Sequence, residues 1–390
     1  MSFPSWLVNL SIRVLRKKAM AKKSLRSPLV AALVLGTALA VTLPGTAYAA
    51  TTITVRTATP ASGPGTANTE NTSDANCRSG GDTDDVVSGV GILQTIGTAA
   101  AQSNLHVKGI VPFNGTSEYT LPNSYSDGVV GTNATQARAV GATGGSGGGF
   151  DAAFGSTPYA MCLDPGGTIT GTQIVMDHVA GPTAPGTIDL AVATCPEGTR
   201  LLGGGARTLP GTVGPLKPIV SYPTFLDGTG PGTHDNGAIA AADGEINPDS
   251  WAAGGSYGGM STSSSNVTYA YAICSGEEID VSGVTVTVRY DDSSGPTSNT
   301  DLHETTVGCD EEDGTLISGG AGISGGDITT SDFTAPGTQG DHLNGSYPSD
   351  SSGNPLTTSP AHWTSLTHTG GSGSTGATTS HVWALCLTGN

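Results

Sequence analysis

The sequence predicts an all-β protein of three tandem antiparallel β-sandwich or barrel-like units, each closed by one disulfide. Short runs with the strand period, such as residues 267–274 and 284–290, are rich in β-branched and aromatic residues. Clusters of Gly, Ser, Thr, Pro and Asp separate these runs and indicate turns. No long amphipathic helix pattern follows residue 50. The cysteines and their neighbours recur at a nearly constant spacing, which indicates internal duplication.

The first element along the chain is a predicted secretory signal peptide, residues 1–49. A stretch with seven basic residues and no acidic one precedes an apolar run over residues 29–43, and Ala47-Tyr48-Ala49 gives a small-x-small cleavage pattern. A membrane anchor is the alternative, but the run is shorter than the about 20 residues that a bilayer core requires. We therefore expect a secreted, extracellular protein without a membrane span after cleavage.

The predicted units cover residues 51–165, 166–277 and 278–390. Consecutive cysteines are separated by 85, 79 and 77 residues when they are taken in pairs. In every unit a Gly-Pro pair precedes the first cysteine, and an aromatic-Ala-x-Cys motif contains the second. One cysteine pair in each unit predicts three bridges, with pairing between units as the alternative. The predicted bridges are Cys77–Cys162, Cys195–Cys274 and Cys309–Cys386.

Within each unit, a β-branched run precedes the Gly-Pro pair, at residues 51–56, 168–175 and 284–289. An apolar pair followed by glycines, such as Leu201-Leu202-Gly203, follows the first cysteine. It predicts a strand that enters a tight bend where backbone approaches backbone. Three segments rich in small and polar residues, 139–149, 226–250 and 341–361, are predicted exposed loops and the first places to look for binding.

The chain is acidic and rich in glycine. Its net charge is −17, and after the signal peptide only eight of the 15 basic residues remain beside all 32 acidic ones. This composition excludes a nucleic-acid binder, which needs a cationic surface. Solubility explains the charge, and structural Ca²⁺ in acidic turns is the alternative. The acidic clusters are Asp82, Asp84 and Asp85; Asp291 and Asp292; and Asp310, Glu311, Glu312 and Asp313.

Motifs for catalysis are weak. Gly-x-Ser-x-Gly occurs at residues 144–148, 254–258 and 322–326, but none of the three precedes a helical pattern, and the glycine content makes chance matches expected. The eight histidines have no metal-ligand spacing and do not recur at one position of the repeat. We therefore predict no enzymatic activity, no catalytic residue, no metal site and no cofactor.

Three aromatic residues are candidates for a ligand-facing role. Trp251, Tyr257 and Trp363 could stack on sugar rings, whereas their strand positions favour a core role.

One unit resembles a repeat of uncharacterised secreted actinobacterial proteins. The matching residues are Cys195-Pro196-Glu197-Gly198-Thr199, then Leu201-Leu202-Gly203-Gly204-Gly205, a tryptophan, and Tyr271-Ala272-Ile273-Cys274. Unit 3 departs from the pattern with Cys309-Asp310-Glu311-Glu312-Asp313-Gly314-Thr315, and unit 1 lacks the tryptophan. The resemblance implies an exported, disulfide-closed β unit and brings no catalytic residues.

These observations together predict a secreted, non-enzymatic structural or interaction protein at the cell surface or in the matrix. Its partners would be further copies of itself or components of the cell envelope. The alternative is a secreted carbohydrate-binding, lectin-like protein, whose partners would be glycans.

Overall fold

The computed structural model describes residues 52–95, 104–115, 117–144, 153–165, 169–226, 234, 236–258, 263–276, 281–299, 301–370 and 377–389. The predicted signal peptide lies outside these residues. The described part is all-β, as predicted, with three antiparallel sheets and three short 3₁₀ turns. It contains no helix with the length and hydropathy that crossing a membrane requires.

Each predicted unit contributes six principal strands. Unit 1 contains β1 (Ile53–Thr57), the two-residue β2 (Ala61–Ser62), β3 (Glu70–Asn76), β4 (Val86–Thr95), β5 (Leu105–Phe113), the additional β6 (Gly128–Thr132), β7 (Gln136–Thr143) and β8 (Gly155–Leu163). Unit 2 contains β9 (Thr172–Ala180), β10 (Ile188–Thr194), β11 (Leu201–Leu209), β12 (Leu216–Thr224), β13 (Ser250–Tyr257) and β14 (Val267–Ser275). Unit 3 contains β15 (Val284–Ser294), β16 (Leu302–Gly308), β17 (Thr315–Ser324), β18 (Asp341–Ser349), β19 (His362–Thr369) and β20 (Thr379–Gly389). The β-branched runs ahead of the Gly-Pro pairs therefore form β1, β9 and β15.

Every unit is a two-layer sandwich, and the three sandwiches are joined edge to edge. The first, sixth and third strands of a unit form one layer, and the second, fifth and fourth form the other. The third strand of each unit then pairs with the fourth strand of another, as β4 with β18, β11 with β5, and β17 with β12. Sheet A is β1-β8-β4-β18-β19-β16, sheet B is β3-β7-β5-β11-β14-β9-β6, and sheet C is β10-β13-β12-β17-β20-β15. Each sheet thus belongs to two units, and the units close into a ring.

The glycines of the third strands allow strands of neighbouring units to approach closely within each sheet. A Cβ on Gly205 would lie 2.1 Å from the carbonyl oxygen of Ile110, and one on Gly320 would lie 2.4 Å from that of Ser221. Gly91, at the same position of unit 1, approaches a backbone oxygen at 2.7 Å in the same way. Real Cβ atoms do not tolerate such distances, so the predicted close approach of backbones is confirmed.

The three disulfides form as predicted, between Cys77 and Cys162, Cys195 and Cys274, and Cys309 and Cys386. The first cysteine of each pair directly follows the second strand of its unit, and the partner lies in the sixth strand. Each bridge therefore joins the two layers of one sandwich. Because those layers belong to different sheets, the three bridges link sheet A to B, B to C, and C to A.

Tryptophan and glycine occupy matching positions in two units. A Cβ on Gly204 would lie 2.2 Å from Cγ of Trp251, and one on Gly319 would lie 2.3 Å from Cγ of Trp363. The strand registers place Val90 and Ala137 at these two positions in unit 1. In unit 1 the larger Val90 stands where the other units have glycine, and the smaller Ala137 stands where they have tryptophan. This exchange of size explains why unit 1 lacks the tryptophan.

All three predicted loops are wrong in part, and in the described portion of 226–250 Ile239, Ala240 and Ala241 are buried. Residues 139–143 belong to β7 and residues 341–349 form β18, and both strands are buried there. Their small side chains serve close packing: a Cβ on Gly141 would lie 2.2 Å from Oγ of Ser156. Small residues are typical of exposed loops, whereas here they allow neighbouring strands to approach. Residues 145–149 lie outside the described part, as do portions of 226–250.

The first strands of units 2 and 3 have covered outer edges. The outer edge of β9 pairs with β6, and residues 243–247 pair with β15 through backbone hydrogen bonds. Each of these two covering segments contains or is followed by an asparagine with a left-handed backbone, Asn247 (φ 53°) within residues 243–247 and Asn133 (φ 51°) directly after β6. Their N–H groups donate to the carbonyl oxygens of Thr172 and Val286, whose own N–H groups donate back to the asparagine Oδ1.

The corresponding edge of unit 1 differs. The register places Ile53 of β1 where Thr172 and Val286 stand in β9 and β15. Unit 3 has Ser359, also left-handed (φ 45°), where units 1 and 2 have asparagine. Within the described ranges, no residue makes a backbone hydrogen bond to the outer edge of β1. The pseudo-threefold symmetry is therefore broken at this edge.

Candidate functional site

A cleft with a volume of about 920 Å³ lies on sheet B. A loop of unit 1, residues 117–123, forms one wall, and the β11–β12 turn forms another. The turn spans only residues 210–215, whereas its counterpart in unit 3 spans residues 325–340. The short turn leaves this part of sheet B uncovered.

An ion-pair network forms the polar side of the cleft. Arg207, with 2% of its side chain exposed, donates through Nη1 and Nη2 to the two carboxylate oxygens of Glu70 at 3.0 and 2.8 Å. Its Nε donates to Glu118 Oε2 at 2.9 Å. Arg138 links Glu118 to Asp74, with Nε 2.7 Å from Asp74 Oδ1. Two guanidinium groups thus face three carboxylates, and the network carries a net negative charge.

Burial and charge act in opposite directions on Glu118. Burial favours the neutral acid, but the guanidinium groups of Arg207 and Arg138 outweigh it and hold the pKa of this carboxyl below its ordinary value. Glu118 is therefore ionised at neutral pH. Arg207 remains charged although it is buried, because the two glutamates favour its cationic form.

Glycines make room for the network. A Cβ on Gly109 would lie 2.6 Å from Cδ of Arg207, and one on Gly211 would lie 2.4 Å from Cδ of Glu70. The wall formed by residues 117–123 is fixed to the sheet, since the Tyr271 hydroxyl donates to the carbonyl oxygen of Tyr119 at 2.8 Å. The cleft is therefore shaped in advance rather than assembled by flexible side chains.

The remaining lining is largely apolar. Leu209, Pro210 and Val267 line the cleft together with Tyr269, which is fully buried. Burial raises the pKa of the Tyr269 hydroxyl, and a hydrogen bond from the backbone of Leu121 acts against this shift. Leu121, 39% exposed, completes the apolar part on the loop.

The charged residues of the cleft have no counterparts in the other two sheets. At the position of Arg207, unit 1 has Leu93 and unit 3 has Gly322. Glu70 corresponds to Ile188 and Leu302 in the second strands. The fold therefore forms twice without these charges, so structural need alone does not account for them. Sequence reasoning missed them because they are spread over three strands and one loop and belong to no motif.

The three aromatic candidates from the sequence lie elsewhere and are buried. Trp251 and Trp363 are fully buried, and their Nε1–H groups donate to the hydroxyls of Ser221 and Ser346. Tyr257 is 3% exposed. The geometry favours the core role over the ligand-facing one, because none of these rings presents a face to solvent.

Two of the Gly-x-Ser-x-Gly serines, Ser256 and Ser324, are also buried. Ser256 lies in β13, and residues 145–148 of the first match fall outside the described part. Ser324 lies 2.8 Å from Nε2 of His381, but its hydroxyl donates to the carbonyl oxygen of Gly326. A serine that gives its proton to a backbone carbonyl is not set up for proton transfer to the imidazole.

Two histidines recur at one repeat position, contrary to the sequence expectation. The bulged register of the fourth strands aligns His106, Lys217 and His342. Unequal loop lengths hide this alignment in the sequence. All three side chains are buried, and burial lowers the pKa of each.

Three of the nine residues in the acidic clusters form ion pairs with arginines. Asp82 pairs with Arg56, and both Asp310 and Asp313 pair with Arg289. Among the described residues, one group of three potential metal ligands has its ligand atoms within 4.8 Å of one another: Asp127, Asp177 and His178. The sequence analysis did not select this group. Its members already form hydrogen bonds, His178 with Asp127, and Asp177 with the N–H of Val192.

Comparison with protein-family models gave no match for this chain, and comparison with curated proteins gave none either.

Proposed function

We propose that this is an exported, non-enzymatic structural protein of the cell surface or matrix, which associates with copies of itself through β1. The open outer edge of β1 carries this proposal, because the equivalent edges of β9 and β15 are both covered by an extended segment of another unit. An uncovered edge strand presents unpaired N–H and C=O groups to a further strand.

A second copy of β1 is the strand that fits this edge. By the register with β15, the outward backbone groups are those of Ile53, Val55 and Thr57. Two such strands can pair antiparallel about a twofold axis and extend sheet A across a dimer. The one charged residue of β1, Arg56, is already paired with Asp82 of its own chain. The pairing therefore leaves no charge of β1 without a partner.

The serine and histidine geometry supports a non-enzymatic role. The Ser324 hydroxyl is engaged with a backbone carbonyl, and Ser256 is buried within β13. The three disulfides support an oxidising, extracellular environment.

Light scattering on residues 50–390, purified without reductant, tests the proposal. We expect a mass of about twice that of the monomer. Thr57→Pro removes one outward N–H at an exposed position and leaves the side facing β8 intact, so it should give a monomer. Thr57→Ala keeps the N–H and should remain dimeric. A monomeric unmodified protein, or an oligomer that Thr57→Pro leaves unchanged, would contradict the proposal.

A further inference from the structure

We infer that the cleft on sheet B is a binding site for a neutral saccharide. This inference goes beyond the proposed self-association and uses a different part of the molecule. The cleft lies on the face of a sheet shared by units 1 and 2, whereas β1 lies at the edge of sheet A.

The first argument is that the charged residues are specific to this sheet. Leu93 or Gly322 stands in place of Arg207, and Ala252 or Thr364 stands in place of Arg138. Burying charged groups is costly even when they are paired, and apolar residues at such positions are commonly as stable. Sheets A and C show that this fold accepts uncharged residues there. The network is therefore better explained by recognition than by folding.

The second argument concerns the charge of the ligand. Each guanidinium group already has carboxylate partners, so an anionic ligand would have to displace them. The network has one more carboxylate than guanidinium groups, which further disfavours an anion. Glu70 is 28% exposed, so its oxygens can accept further hydrogen bonds from hydroxyl groups.

The third argument is the combination of apolar and polar lining. A sugar ring has an apolar C–H face and a rim of hydroxyl groups. Leu121, Pro122 and Pro210 offer an apolar surface, while Asn123 and Ser265 add polar groups. The buried ring of Tyr269 also lines the cleft. The volume lies in the range of ordinary small-ligand sites and suits an oligosaccharide of a few rings.

The geometry also identifies the residue whose loss is most informative. Glu70 is held against Gly211, contacts Arg207 with both oxygens, and remains partly accessible. Glu70→Gln keeps the size of the side chain but removes its charge. Asp74 is a matched control, since it pairs with Arg138 in the same network at similar exposure but does not line the cleft.

Calorimetric titration of residues 50–390 with neutral trisaccharides, namely maltotriose, cellotriose, mannotriose and N-acetylchitotriose, tests the inference. We expect at least one to bind, with about tenfold weaker affinity in Glu70→Gln and a change within about twofold in Asp74→Asn. Leu121→Ala, at an exposed loop position, should also weaken binding. Thr57→Pro should bind as the unmodified protein does, which separates this site from self-association.

Three results would overturn the inference. The first is that none of the trisaccharides binds at millimolar concentration. The second is binding that Glu70→Gln and Leu121→Ala both leave unchanged. The third is that trilysine binds at this cleft and the sugars do not, because the site would then be one for cationic peptides.

Discussion

Replacing Arg207 by leucine tests whether the cleft network is a buried electrostatic unit. Leucine is the natural comparison, because Leu93 occupies the equivalent position of unit 1. The change removes the contacts to both Glu70 and Glu118, which are 28% and 11% exposed. Removing one partner of a buried ion pair costs about 3–5 kcal/mol, since the other charge stays without compensation. We expect the free energy of unfolding at pH 7 to fall by about this amount.

The loss should depend on pH in a definite direction. In the native network the pKa of Glu118 is held below its ordinary value, so this residue stabilises the fold above its unfolded pKa and loses that contribution as the pH falls. Without Arg207, burial acts against the charged form and the neutral acid is favoured. The difference between Arg207→Leu and the unmodified protein should therefore be largest near pH 7 and become smaller toward pH 4.

Urea unfolding at pH 7 and pH 4 measures both effects. Arg289→Leu is the matched control, because Arg289 has three carboxylate partners but is 27% exposed. Exposed ion pairs contribute about 0–1 kcal/mol, so this variant should lose little. Adding Glu118→Gln to Arg207→Leu should recover about half of the loss. A cost below about 1 kcal/mol for Arg207→Leu, or one independent of pH, would refute the reasoning.

Three further predictions concern the disulfides, the glycine packing and the buried histidines. Removing the bridge by Cys195→Ala with Cys274→Ala should lower the unfolding free energy by roughly 4 kcal/mol, since the loop it closes has about 80 residues; an unchanged calorimetric melting temperature would contradict this. Gly205→Ala should lower the unfolding free energy by about 3 kcal/mol or more, because the new Cβ would lie 2.1 Å from a backbone oxygen, whereas Gly65→Ala has open space around it and should change this free energy very little. Equal losses of unfolding free energy in urea would argue against this close approach of strands. Acid should destabilise the protein between pH 7 and pH 4, because burial lowers the pKa of both His368 and His381 to about 4 and these histidines are protonated first in the unfolded chain. His368→Gln should reduce this loss of stability, and a stability independent of pH would contradict the prediction.

The sequence was sufficient for the β class, for the first strand of each unit and for the disulfide pairing. Alternation of β-branched residues located β1, β9 and β15, and the repeat located all three disulfides. The repeat could not reveal that β11 pairs with β5 of another unit, because pairing at a strand edge does not change the pattern of apolar residues along either strand. The glycine-rich third strands indicated close backbone approach but not which backbone would be approached.

The cleft could not be predicted for a related reason. Glu70, Glu118 and Arg207 are distant in sequence and meet only because sheet B combines strands of two units. None of them belongs to a recurrent motif, so the repeat pattern does not indicate them. By contrast, Trp251 and Trp363 attracted notice because they recur, and recurrence here reflects packing against Gly204 and Gly319.

The central claim is that three sandwich units close into one ring through shared sheets. Small-angle X-ray scattering of residues 50–390 carrying Thr57→Pro, which should be monomeric, tests it most directly. A closed arrangement of this length predicts a radius of gyration of about 20 Å, whereas three separate units in a string predict roughly 30 Å. A value near 20 Å would agree with the ring, and a value near 30 Å would contradict it.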